Sequence, residues 1–328
     1  MIKKLISLGI LCILIICSCS QTETIKDTKS TTEEVKSNFN FQTETFADLK
    51  ILRYQVPGFE KLSLQQQKLV YYLSEAGYAG RDIIWDQNYR HNLSIRRALE
   101  KIINEWDGNR NTLNWDNFMT YTKRVWFSNG IHHHYSMDKF IPEFSEYYFT
   151  GLMKAVGASL NDEALKAMFD PTFDAKKVNL DPSKGLVLGS AVNFYDPDIN
   201  EAEVDAYFAS IKDSETNEPV SYGINSKLIR GKDGIEEKVY KLKGMYGEAI
   251  AEIIAWLEKA VSVAENQAQA DALKLLIEYY KTGDLKTWDA YNIAWVNATE
   301  GDIDYINSFI EVYNDPKGYT GSFESIVE

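Results

Sequence analysis

Four histidines are the side chains in this sequence best suited to hold a metal or move a proton: His91, and His132, His133 and His134 in a row. Consecutive side chains leave a helix or strand in different directions, so three adjacent imidazoles do not converge on one ion. No Glu follows them at the spacing of a zinc-binding helix, and hydrogen bonding or lining of a cleft is the role the triplet fits. Asp196-Pro197-Asp198-Ile199-Asn200 opens like a calcium loop, but Glu201 stands where that loop needs Gly and Tyr207 where it needs a bidentate Glu, which excludes calcium there. No Gly-rich phosphate loop and no nucleophile elbow occurs. All three cysteines, Cys12, Cys17 and Cys19, lie at the N-terminal end, so the body of the chain offers no disulfide, thiol nucleophile or thiolate metal site.

The cysteines belong to a leader. Lys3 and Lys4 precede an apolar run from Leu5 to Ile16, shorter than the roughly 20 residues of a spanning helix and matching a secretory signal. Ile16-Cys17-Ser18-Cys19 then reads as a bacterial lipobox. Residues 1–18 are expected to be removed and Cys19 to be lipidated, which places the protein in the bacterial cell envelope, anchored by acyl chains on the periplasmic side or at the outer membrane. Residues 19–44, rich in Thr, Ser, Glu and Lys, cannot bury enough apolar surface to fold and read as a disordered tether. The whole chain of 328 residues is 45% apolar and 25% charged, which suits a folded body, and its formal charge of −13 makes nucleic acid a poor partner.

Helical signals dominate that body. Ser63 with Gln66, and Asn200 with Glu203, form capping boxes ahead of apolar runs. Ile250, Ile253, Ile254, Leu257 and Val261 mark one amphipathic helix; Leu273, Leu276, Ile277 and Tyr280 mark a second, closed by Gly283. Ile303, Ile306, Ile310 and Tyr313 follow a similar spacing and predict a third, ended by Asp315-Pro316. Strand signals concentrate in Val220–Leu242, where two β-prone runs flank Gly231-Lys232-Asp233-Gly234 as in a hairpin. The expected fold is α+β, mostly helical, with a minor sheet.

Three stretches carry a resemblance. Phe309-Ile310-Glu311-Val312-Tyr313-Asn314-Asp315-Pro316-Lys317-Gly318-Tyr319-Thr320-Gly321-Ser322-Phe323-Glu324 resembles the Phe-Ile-Glu-x-Tyr-x-Asp-Pro-x-Gly-x-x-Gly-x-Phe-Glu signature of the dipeptidyl peptidase III family. Its fixed positions here are Phe309, Glu311, Tyr313, Asp315, Pro316, Gly318, Gly321 and Glu324, among others. Asn193–Leu228 is similar to a helix and following strand of that family, and Val125–Pro142 to its cleft-side loop. The similarity runs from about Gln42 to Glu328. It is weakest at Leu276–Asp284, where Leu276 stands in place of a family Tyr that contacts bound peptide, while Tyr280 and Gly283 still match.

The resemblance implies a zinc exopeptidase that removes dipeptides from peptide N-termini, built as two lobes across a cleft, with oligopeptides as substrate. Residues 45–294 correspond to its helical first lobe with a minor mixed sheet, and 295–328 to the start of the catalytic lobe. The family's His-Glu-x-x-Gly-His and later Glu, which hold the zinc, have no counterpart in the sequence, so no metal ligand or catalytic residue is assigned. The expectation is a truncated or split product, inactive alone and awaiting a downstream fragment. Glu278, as a carboxylate able to pair with a peptide's ammonium group, and Tyr280, Asn129 and His132 are the implied substrate contacts. A non-catalytic envelope lipoprotein that binds peptides or glycans remains the alternative.

Overall fold

The computed structural model describes residues 39–212 and 219–328. The leader, the lipobox with Cys19 and most of the expected tether lie outside the described residues. No helix among the described residues is long and apolar enough to cross a membrane. The fold is α+β and mostly helical, as the sequence leads one to expect.

Helices begin where the sequence supplies caps. Before α1 (Leu64–Ala79), the Ser63 hydroxyl accepts from Gln66 N while the Gln66 side chain accepts from Ser63 N, and Asn200 and Glu203 make the same reciprocal pair before α7 (Glu201–Ile211). One core joins α2 (Arg81–Asn88), α3 (Asn92–Glu105), α4 (Leu113–Phe127), α5 (Glu146–Ala155) and α6 (Asp162–Phe169), and is rich in aromatic rings such as Trp115, Phe118, Phe144 and Phe149. A second gathers α1, α8 (Gly247–Val261), α9 (Gln267–Thr282) and α10 (Leu285–Asn297). Ile250, Ile253, Ile254 and Leu257 are all buried there, as the helical stripe demands. Gly283 closes α9 at φ 72°, a left-handed conformation that glycine adopts without steric cost.

Three antiparallel hairpins complete the described residues: β1 (Gln42–Phe46) with β2 (Leu49–Leu52), β3 (Ser226–Arg230) with β4 (Ile235–Val239), and β5 (Tyr305–Glu311) with β6 (Ser322–Val327). The first opens at Gln42, inside the stretch read as tether. The second is the hairpin expected around Gly231–Gly234.

The third corrects the sequence reading, since Tyr305–Glu311 is a strand and no helix spans Ile303–Tyr313. Spacing of Ile303, Ile306 and Ile310 fits a helix, but Tyr305, Asn307 and Phe309, two apart, are buried at 3%, 2% and 0% exposure, and Ser308 between them is covered from the other face. Pairing of Phe309 with Phe323 and Tyr305 with Val327 gives the backbone its partners, and the α1–α2 junction covers the result. A Cβ on Gly80 would lie 2.1 Å from the Phe323 ring, so the missing side chain is what lets β6 approach. The segment buries Phe309 and Phe323 in the same core as α1, α8 and α9.

Candidate functional site

The β5–β6 connection folds around one carboxylate. Asp315 is 5% exposed and accepts from Lys317 N (2.8 Å), Tyr319 N (3.0 Å) and Thr320 N (2.7 Å), so its side chain shapes the turn that Pro316 and Gly318 begin. The Tyr195 hydroxyl donates to both its oxygens, at 2.8 and 2.7 Å. Burial pushes the Asp315 carboxyl above the usual carboxylate range, against the pull of these donors. The turn then re-enters the sheet at Gly321, where a Cβ would meet the Phe309 carbonyl carbon at 2.8 Å and the Ile224 oxygen at 3.0 Å. A side chain there would have to displace backbone.

Other signature residues sit on the outer side of the hairpin. Glu311 is exposed, Tyr313 is 63% exposed, and the Tyr313 hydroxyl donates to Glu324 at 3.4 Å. Burial, then the neighbouring Glu311 charge, raises the Glu324 carboxyl above its ordinary value. The Tyr135 phenol is 82% exposed on the loop after α4. Beside the turn, Phe208, Lys212, Ile224, Ile310, Val312 and Tyr319 line an open groove of about 630 Å³, with Phe208 and Tyr319 stacked 4.0 Å apart.

The loop after α4 carries Asn129 and His132. Asn129 is exposed, takes φ 51°, and its carbonyl accepts from Asn88 (3.0 Å) and Asn92 (3.4 Å). His132 is 2% exposed; its Nε2 lies 2.8 Å from the Asp174 carbonyl, its ring meets Tyr89 edge-on, and its Nδ1 is buried without a partner. Burial lowers its pKa to about 4, so the imidazole is neutral at physiological pH. Around it the Tyr89 hydroxyl and the Arg90 guanidinium both reach Asp174, at 2.7 and 3.0 Å, and Arg90 also reaches Glu163 at 2.6 Å. His132 therefore serves the protein interior, with no face open to a ligand.

Glu278 lies exposed on α9, and Tyr280, next but one along that helix, is fully buried, its hydroxyl donating to Asn307 Oδ1 at 2.7 Å. These two are not brought together with Asn129 or His132 into one cluster by any contact among the described residues. Two residues that bear on the site carry no local sequence signal. Gln87 on α2 is fully buried and donates to Gly321 O (3.0 Å) while accepting from Phe323 N (2.8 Å), so its amide docks on the hairpin as a strand would. Lys177 is 4% exposed, its ammonium reaches Asn88 Oδ1 at 3.4 Å, and burial lowers its pKa to about 8.

Among the described residues no group of three or more His, Cys, Asp or Glu side chains could hold a metal ion. His132 turns its one open nitrogen into packed protein, and His133 uses Nδ1 to accept from Tyr135 N and Ser136 N, each at 3.1 Å.

Residues 199–328 match the sequence model of peptidase family M49. No curated protein matches the sequence. Among solved structures, dipeptidyl peptidase III from Caldithrix abyssi superposes with a TM-score of 0.56 at 18% identity, over 83% of this chain and 40% of that one. The enzyme from Corallococcus sp. strain EGB superposes with a TM-score of 0.54 at 14% identity, over the same shares. The chain thus spans 40% of the length of these solved relatives.

Proposed function

We propose that this chain, whose residues 199–328 carry the peptidase family M49 pattern on a dipeptidyl peptidase III fold, forms the substrate-holding portion of a zinc exopeptidase that removes dipeptides from oligopeptide N-termini. The observation that supports this reading best is the Asp315-centred hairpin. The residues that match the family pattern are the ones that build its turn and place Glu311, Tyr313 and Glu324 on its outer side. The exposed Glu311 carboxylate suits the ammonium group of a peptide, and fixing that end decides which bond is presented for cleavage. No hydrolytic step is assigned to the residues described here. The centre that activates water is expected on a separate lobe bearing His-Glu-x-x-Gly-His. From the lipobox we further infer an envelope location, which radiolabelled palmitate would report by its loss on Cys19→Ala.

The decisive experiment uses the 328-residue chain alone and together with a lobe that carries the zinc motif. Alone, it should bind an oligopeptide with a free N-terminus by calorimetry, carry no stoichiometric zinc and leave a dipeptidyl-naphthylamide uncleaved. Together, the two pieces should release the naphthylamine. Chelator-sensitive cleavage by the 328 residues alone would overturn the assignment, as would binding of glycans with no binding of peptide.

A further inference from the structure

His133 is tied to its own loop by hydrogen bonds that only one of its charge states can make. Its Nδ1 accepts from Tyr135 N and Ser136 N, both at 3.1 Å, which places the ring proton on Nε2. The backbone closes the same loop, with His133 N donating to Asp138 O at 2.7 Å and Met137 N donating to His133 O at 3.1 Å. Met137 takes φ 63°, a left-handed conformation that a methionine holds only where its surroundings impose it. The His133 ring stacks on His134, with centroids 4.6 Å apart and planes 19° apart, and His134 Nδ1 lies 3.2 Å from the Ser128 hydroxyl.

Charging His133 puts a proton on Nδ1. That removes the acceptor for both amides and brings a cation against a second imidazole. Acid is what adds that proton, so the conflict arises on acidification. The groups facing this ring act in both directions. Asp138 on the same loop favours the cation, but Lys176 of the adjoining segment holds Asp138 in an ion pair at 2.5 Å. Lys177 of that segment and His133 itself both disfavour charge on His134, and the uncharged rings of Tyr135 and Phe140 also border His133.

We propose that His133 is a pH-sensitive latch: as a neutral acceptor it holds the 133–138 loop closed, and on protonation it releases the loop and the exposed Tyr135 that it carries. The 133–138 loop is then ordered at neutral pH and loosened in acid.

Hydrogen exchange at single-amide resolution on the 328-residue chain tests this, after correction for the intrinsic pH dependence of exchange. The Tyr135 and Ser136 amides should be protected at about pH 7.5 and lose roughly tenfold or more of that protection at about pH 5. His133→Asn sets a non-titrating oxygen near the place of Nδ1 and should keep both amides protected at both pH values. His133→Phe keeps a ring to stack and should leave them unprotected throughout. A His134→Gln variant should retain the wild-type step. Unchanged protection of the wild type across this range would overturn the proposal; so would a step that persists in His133→Asn or disappears in His134→Gln.

Discussion

The hairpins β1–β2 and β5–β6 share one topology and are held to the body by opposite means. Four of the five residues of β1 are exposed, and the hairpin meets α4 through ion pairs, Lys123 with Glu44 and Arg124 with Asp48 at 2.8 Å. Hairpin β5–β6 instead sinks Phe309 and Phe323 into the main core, takes Gln87 along its edge and knots its turn around Asp315. Surface ion pairs contribute little, because water solvates the separated charges nearly as well, whereas apolar burial and enclosed hydrogen bonds have no such substitute. The 132–139 loop stands between them, tied by buried polar contacts from His132 and Lys139 to the carbonyls of Asp174 and Asp170.

The sharpest way to break this contrast is to empty the core under β5. Phe309→Ala should cost about 3–5 kcal/mol of unfolding free energy, read from chemical denaturation, since a fully buried ring leaves a cavity. A cost near that of a surface change would show that the hairpin is not anchored as described.

The polar anchor of the intermediate loop should announce itself through pH. His132 has its pKa lowered to about 4 from an ordinary 6.5, so as pH falls the unfolded chain takes up the proton first. Its contribution is whole above the unfolded value, declines from there toward pH 4, and is lost once both states are charged, about 3 kcal/mol in all. His132→Gln keeps a donor for the Asp174 carbonyl without titrating. Its stability should therefore fall less than that of the wild type over this window, and parallel pH profiles would refute the buried anchor.

Next in size is the turn. Asp315→Ala leaves the Tyr195 hydroxyl and the amides of Lys317, Tyr319 and Thr320 without their acceptor, and should cost about 2–3 kcal/mol, with the loss concentrated in amide protection at 317–320. Smallest of all is the effect at β1–β2. Lys123→Met should change stability by less than about 1 kcal/mol and the change should shrink in high salt. A larger, salt-independent loss would erase the distinction between the two hairpins.

What the sequence determined by itself lies close along the chain. The capping boxes at Ser63 and Asn200, the buried stripe of α8, the Gly283 helix end and the Gly231–Gly234 hairpin each depend on residues within a few positions of one another, and all are present. The signature from Phe309 to Glu324 was legible as a family pattern, though not as a turn wound around a carboxylate. Tertiary structure decided the rest. Tyr195 meets Asp315 across 120 residues, and Gln87 meets Phe323 across 236. The spacing of Ile303, Ile306 and Ile310 points to a helix, and only the surroundings overrule it: β6 as a pairing partner, and the space above Gly80 for Phe323. A helix is closed by its own backbone, four residues at a time, and can be read locally. A strand, a buried histidine or a caged aspartate is completed by groups from elsewhere in the chain, and its identity is settled only when those groups arrive.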